Sequence, residues 1–441
     1  MISRVLSDRM GSWAASLIRY PYRCVAWFAR IFRAHKPLRV ALGTFGFTPL
    51  SGGVGNHMMS LIKGWGDLVP ENPLQIYATK SVFDYLKKLP LRYRVIFRCV
   101  SPDEVLKCQE DFDVYFIQLG YLRPIPPPKK TAYHLPDLQE RFFPEFFTEE
   151  EMARRSKNHE AGMHYVNRLV TGSEFCRNSF IDLLGVSSEL TAVVHLPVAD
   201  IPANNERPKD LPDSLEGFAY FPADDYLHKN HCRLFEAIRL LRDSGTHIPL
   251  VCTGGRFSGR DLASISKDAG LEGMFWDLGK VSRENVAWLY RNCRAVIFPT
   301  LFEGFGLPVL EAFSLGTPIL CSGVTSLPEL GGDAAVYLNP FDANQMASKI
   351  REVWSDPVLR ERMIAMGREQ VKKFSLERII RENHALFSQI RDEAPRKVAD
   401  GPIPSLPPID VEKAWQLYRS SAVKEIRDGI PPRAEAMAGL L

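Results

Sequence analysis

Glu303 and Glu311 stand in the run Phe-Glu-Gly-Phe-Gly-Leu-Pro-Val-Leu-Glu-Ala, with seven residues between the two carboxylates. A carboxylate accepts hydrogen bonds from hydroxyl groups, and a pair at this spacing can hold the two ends of one polar ligand. Between them Gly304 and Gly306 let backbone approach a ligand closely. Pro308 suits a first helical turn, where its missing N–H costs nothing. The free N–H groups of such a helix start form an anion site. A second candidate is Lys229, in His-Lys-Asn-His just before another helical stretch. A cation there opposes the helix dipole but meets a diphosphate well. Hydroxyls at both ends and phosphates in the middle describe a sugar nucleotide. Taken singly, either Glu is equally an ordinary loop or helix-end carboxylate.

These residues need strands and helices to place them. The apolar run 295–298 has the length and β-branched character of a buried parallel strand. A helix from Pro308 to Gly316 follows, then a strand at 318–321. Upstream, strand 218–222 runs into Ala223-Asp224-Asp225 and Lys229, followed by a helix at 232–242. Strands at 248–253 and 275–278 come next, the latter leading into Gly279-Lys280-Val281-Ser282. The first half repeats the scheme. Strand 38–43 precedes Gly52-Gly53-Val54-Gly55 at a helix start, and further strands are expected at 74–78, 94–99 and 114–119. Strand 131–134 ends on His134, with Asp137 shortly after. A helix at 149–165 and a strand at 169–173 follow, Ser173 being a plausible N-cap. Arg177 in the next first turn opposes the dipole and hints at an acidic ligand. Glycine loops at strand ends in both halves argue two doubly wound α/β domains facing across a cleft. The glycine loop is not G-x-G-x-x-G, which disfavours a nicotinamide-binding unit.

At 441 residues, 45% hydrophobic and 24% charged, the chain has room for two or three globular domains. A net charge of +3 is too small to imply nucleic acid. The eight cysteines are scattered, with no C-x-x-C, and read as buried thiols in a reducing, cytoplasmic compartment. Residues 1–36 carry seven Lys and Arg against one acid, Asp8, interleaved with Trp13, Trp27, Phe28 and Phe32. No apolar run there is long enough to span a bilayer. The pattern suits a peripheral contact with an anionic membrane face, or equally an arm docked on the protein itself.

The Glu303-x7-Glu311 stretch resembles the signature of the group 1 (family 4) retaining glycosyltransferases of GT-B fold. The resemblance covers about residues 38–390. It implies that Glu303 contacts the transferred sugar and Glu311 the nucleotide ribose. The N–H groups around Gly304, Phe305, Gly306 and Leu307, together with Lys229, would hold the diphosphate. Gly52 and Gly53 would face it across the cleft, Val281 would meet the base, and His134 or Asp137 would orient the sugar. Relatives often carry an Arg several residues before this Lys, where the present chain offers Ala223, Asp224 and Asp225. The implied organisation is an arm (1–36), an acceptor domain (37–200), a linker (201–217), a nucleotide-sugar domain (218–375), a crossover helix (376–394) and a proline-rich tail (395–441) with one short helix near 411–426. The implied chemistry is metal-independent transfer of a hexose such as mannose from a nucleoside-diphosphate sugar to a glycan or lipid-linked glycan. No cofactor beyond that donor is called for. A nucleotide-sugar epimerase or hydrolase, and a catalytically silent binder in an envelope assembly, are the rival readings.

Overall fold

The computed structural model describes residues 37–45, 52–88, 95–118, 121–198, 201–204, 206–398 and 401–440. The basic arm lies outside the described residues, and so does its expected membrane contact. Among the described residues no helix is long and apolar enough to cross a membrane.

The first sheet comprises β1 (Val40–Gly43), β2 (Leu74–Ala78), β3 (Val95–Cys99), β4 (Val114–Ile117), β5 (Thr131–His134), β6 (Arg168–Thr171) and β7 (Thr191–Val193). The second comprises β8 (Ala219–Pro222), β9 (Leu250–Thr253), β10 (Phe275–Asp277), β11 (Ala295–Phe298), β12 (Ile319–Ser322) and β13 (Val336–Leu338). Their orders are 3-2-1-4-5-6-7 and 10-9-8-11-12-13, with parallel pairing throughout the described residues. Each order reverses beside its first strand, at β1/β4 and at β8/β11. Open α/β sheets bind ligands at such switch points, outside the carboxyl ends of the strands. Because helices cover both faces, the central strands are buried along their whole length and read as unbroken apolar runs.

The principal helices are α1 (Gly52–Leu68), α2 (Glu149–Tyr165), α3 (Glu174–Leu184), α4 (His231–Asp243), α5 (Arg283–Asn292), α6 (Leu307–Leu315), α7 (Ala343–Ser355), α8 (Pro357–Gln370) and α9 (Leu376–Asp392). Thr148 and Glu151 form a reciprocal capping box at the start of α2. The apolar stripe of α9, with Ile379, Ile380, Phe387 and Ile390 buried, packs on the first sheet. Phe387 lies 5.0 Å from Phe116 and 5.8 Å from Trp65 between ring centres. Burying each such side chain contributes about 1.5–3 kcal/mol, which fixes this helix as the return crossing to the first half.

The tail departs from expectation. Instead of one short helix it forms α10 (Val411–Ser421), α11 (Lys424–Arg427) and α12 (Arg433–Ala438). The helix breaks at Ala422 because the next residue, Val423, turns its N–H to the carbonyl of Gly323 at 2.9 Å. Trp415 and Tyr418, one turn apart, stack at 4.8 Å and meet Phe143 from the first half and Phe341 from the second. Arg141 Nη1 donates to Pro407 O at 2.7 Å, and Arg433 pairs with Glu145 at 2.7 Å. These contacts make the tail a strap across both halves. The cysteine expectation also needs correction. Cys176, Cys252, Cys293 and Cys321 are buried, but Cys99, ending the edge strand β3, and Cys232, in the first turn of α4, are exposed.

Candidate functional site

After β11 the chain enters the Glu303–Gly306 turn. Gly306 has φ 108°, a conformation that favours glycine, and a Cβ there would strike Leu327 at 2.4 Å. At Gly304 a Cβ would lie 2.9 Å from Asp137 of the facing half. The two glycines therefore serve different ends, one setting the turn and the other allowing the halves to meet. Ser173 Oγ donates to Gly304 O at 2.7 Å across the same junction. The turn delivers α6 with Pro308 in its first positions.

The turn, the end of β8, the end of β5 and the 280–286 segment enclose a cleft of about 640 Å³. His134, Asp137, Lys229, Val281, Glu303, Gly304, Phe305, Gly306, Leu307 and Glu311 all line it. Gly52 and Gly53 open α1, the helix that follows β1. Arg177 is not brought in: its Nε donates to Thr191 Oγ1 at 3.1 Å and its Nη1 lies 3.4 Å from Glu174. Local pairing explains that arginine, so it carries no hint of an acidic ligand.

Lys229 Nζ lies 2.7 Å from Glu303 Oε1, both side chains largely buried. The pair ties the β8 loop to the glycine turn and presents a cation and a carboxylate side by side. Asn230 takes up φ 67° beside it, donating to Pro299 O at 2.9 Å and Pro340 O at 2.8 Å. Glu311 sits one turn into α6, 9% exposed. Burial pushes its carboxyl up, offset in part by Arg283 at 3.9 Å and by the Tyr290 hydroxyl, which donates to Glu311 Oε2 at 2.8 Å. His134 is buried at the end of β5, and burial pushes it down to about 4, against a hydrogen bond with the Gln118 backbone. It is therefore a neutral imidazole near pH 7. Asp137 Oδ1 accepts from Gln139 N at 3.0 Å and lies 3.9 Å from Arg155.

Asp224 and Asp225, standing where an Arg was looked for, have a structural task. Asp224 accepts from Gly255 N; Asp225 accepts from Phe257 N, Ser258 N and the Ser258 hydroxyl. Together they pin the 254–258 loop beside the cleft. Lys280 and Arg283 also line the cleft and were not singled out from sequence. Arg283 carried a usable signal, a cation in a first helical turn. Tyr290, which holds Glu311, carried none, since only the packing of α5 on α6 brings them together.

Residues 203–370 match the family model described as Glycosyl transferases group 1. Over these residues the chain is similar to the group 1 glycosyltransferases. The matched stretch contains Lys229, Glu303 and Glu311 and so takes in one whole wall of the cleft. Among its relatives, the chain is 29% identical over 255 residues to O-antigen chain mannosyltransferase B of Escherichia coli, covering 56% of the chain and 66% of that protein. It is 27% identical over 187 residues to O-antigen chain mannosyltransferase RfbU of Salmonella typhimurium, covering 42% and 50%. The chain thus spans less than two thirds of the length of either relative. Among solved structures, a glycosyltransferase from Rickettsia africae superposes with TM-score 0.60 at 14% identity, covering 82% of this chain and all of that one. WaaG, a glycosyltransferase involved in lipopolysaccharide biosynthesis, superposes with TM-score 0.58 at 16% identity, covering 79% and 99%. At these identities the likeness speaks for the fold alone, and the fold is GT-B.

Proposed function

We propose that the chain is a retaining glycosyltransferase that moves a hexose, with mannose the first candidate, from a nucleoside-diphosphate sugar to a glycan or lipid-linked glycan. The observation that carries this reading is the convergence of the Lys229–Glu303 pair, the α6 N-terminus and buried Glu311 in one cleft. Mannose is favoured because two relatives bear the name mannosyltransferase. In this reading residues 37–200 present the acceptor and residues 218–375 hold the donor.

Breaking the anomeric bond develops negative charge on the diphosphate and positive charge on the sugar ring. Lys229 and the N–H groups at Gly306 and Leu307 meet the first as preorganised charge and dipoles. This accounts for phosphate stabilisation without a metal. Glu303, oriented by its ion pair with Lys229, contacts the sugar, and His134 or Asp137 closes on it from the opposite wall. With Glu303 engaged by Lys229, attack by the acceptor on the face the diphosphate leaves accounts for retention. Gly52, Gly53 and Val281 complete the diphosphate and base contacts. Residues 1–36 would set the protein against the inner face of the cytoplasmic membrane, near a lipid-linked acceptor.

Thermal melting with UDP-, GDP-, ADP- and dTDP-sugars tests the reading, because a ligand that binds only the folded state raises the melting temperature. One nucleotide class is expected to stabilise the wild type and not Glu311→Ala. No shift with any of them at millimolar concentration would overturn the donor site. Product analysis with GDP-mannose and a glycan acceptor then separates transfer from hydrolysis or epimerisation.

A further inference from the structure

We propose that the C-terminal strap is a positioning element of the cleft, in which Tyr418 and Ser421, the latter through Thr325, set the backbone from which Glu303 reaches Lys229. Thr325 is the anomaly that leads there. It is a β-branched residue at φ 58°, a conformation that such residues rarely adopt and that needs outside support. Its N–H donates to Ser421 Oγ at 2.8 Å, and the Ser421 hydroxyl donates onward to Tyr418 O at 2.6 Å. Its own hydroxyl donates to Val324 O at 2.7 Å and accepts from Glu303 N at 3.3 Å. Every polar group of Thr325 that faces the turn or the strap is thereby used, and the two are joined through it.

The strap grips the same turn at two more places. The Tyr418 hydroxyl donates to Leu301 O at 2.6 Å, while Leu301 N donates to His228 O at 2.7 Å, beside Lys229. Val423 N donates to Gly323 O at 2.9 Å, and the strap passes so close that a Cβ on Gly323 would lie 2.7 Å from Val423. Leu301, Glu303, Gly323 and Thr325 are thus anchored to α10 and the residues just after it. Among the described residues none of the strap lines the cleft, so its influence runs through the backbone of the turn. That makes them positioning residues.

The catalytic part rests on the glycosyl-transfer reading, so the test has an arm that does not. In the full chain, Ser421→Ala and Tyr418→Phe each remove one hydroxyl and leave the aromatic packing in place. Hydrogen exchange of the 301–307 amides is expected to rise roughly tenfold in either variant, the size of one hydrogen bond, with exchange in β11 and α9 unchanged. Steady-state transfer by Ser421→Ala is expected to show kcat lowered roughly tenfold, with KM for the donor unchanged and Ser421→Thr restoring the rate. Unchanged exchange at 301–307 in both variants overturns the proposal whatever the kinetics show. A loosened turn with an unchanged kcat also overturns it. Should the wild type neither bind nor transfer any sugar nucleotide, the glycosyl-transfer reading falls, and the exchange result alone decides the positioning role.

Discussion

The two walls of the cleft are built on different principles. On the second-half wall, charge is met by charge: Lys229 with Glu303 at 2.7 Å, Arg283 with Glu311 at 3.9 Å, and Asp224 and Asp225 with loop N–H groups. On the first-half wall, burial is the largest influence on His134 and Glu140. His134 is pushed down to about 4, and Glu140, behind Asp137, is pushed up to about 7. The first kind of wall presents paired charges side by side, as the proposed diphosphate contact requires. The second kind holds a neutral imidazole at His134 and a carboxyl at Glu140 raised to about 7 by burial. A donor with fixed charge suits the first wall, and a neutral glycan hydroxyl suits the second.

The sharpest way to break this comparison is to remove one charge from each wall. Lys229→Ala takes away the cation proposed to meet the diphosphate and removes the ion-pair partner of Glu303. We expect kcat to fall about 10²–10³-fold, equivalent to about 2.7–4 kcal/mol of transition-state stabilisation. Asp137→Asn should cost less than a tenth of that loss, with donor affinity unchanged in a thermal-shift titration. Equal losses in the two variants would show that both walls bear the reaction's charge.

A smaller effect tests how the second-half wall is held. Asn230 combines φ 67° with two buried hydrogen bonds to Pro299 O and Pro340 O. Asn230→Ala strains the backbone and leaves two carbonyls short of donors, which should cost about 2–3 kcal/mol in a urea unfolding titration. Asn230→Gly relieves the backbone and should cost less. Equal costs would assign the whole role of this residue to its side chain.

The same contrast explains what could be read from the sequence. Glu303, Gly304, Gly306, Pro308 and Glu311 are neighbours along the chain, and their spacing already encodes turn, helix start and facing carboxylates. The central strands β1, β4, β8 and β11 announced themselves as apolar runs, whereas short β7, Thr191–Val193, has too few residues to show a pattern. The first-half wall was legible only as a choice between His134 and Asp137. Its character depends on Arg155 and His159, which α2 brings in from eighteen or more residues away. Of the strap only a short helix near 411–426 was legible, not its course across both halves. Trp415 and Tyr418 look like any amphipathic helix stripe until Phe143 and Phe341 arrive from two distant segments.

The smallest predicted effect is a pair of opposed titrations on the first-half wall. His134 has a folded value near 4 against an ordinary 6.5, so folding keeps it unprotonated. Its contribution to stability is present above pH 6.5 and is lost as pH falls toward 4. His159, pushed down to about 3 by burial with Arg155 and Arg141 adding to it, acts in the same sense. Glu140 does the reverse. Burial raises it to about 7, with Arg155 at 3.2 Å pulling it back and Asp137 pushing it further up. Its contribution is full below its unfolded value and is lost as pH rises through about 7. Between pH 4.5 and 6.5 the Glu140 and His134 slopes oppose each other, each at most about 1.4 kcal/mol per pH unit. Glu140→Gln should therefore steepen the loss of stability on acidification, and His134→Asn should flatten it, in denaturant titrations at half-unit pH steps. Parallel curves for wild type and both variants would mean that neither group titrates against burial, and the proposed difference between the walls would be gone.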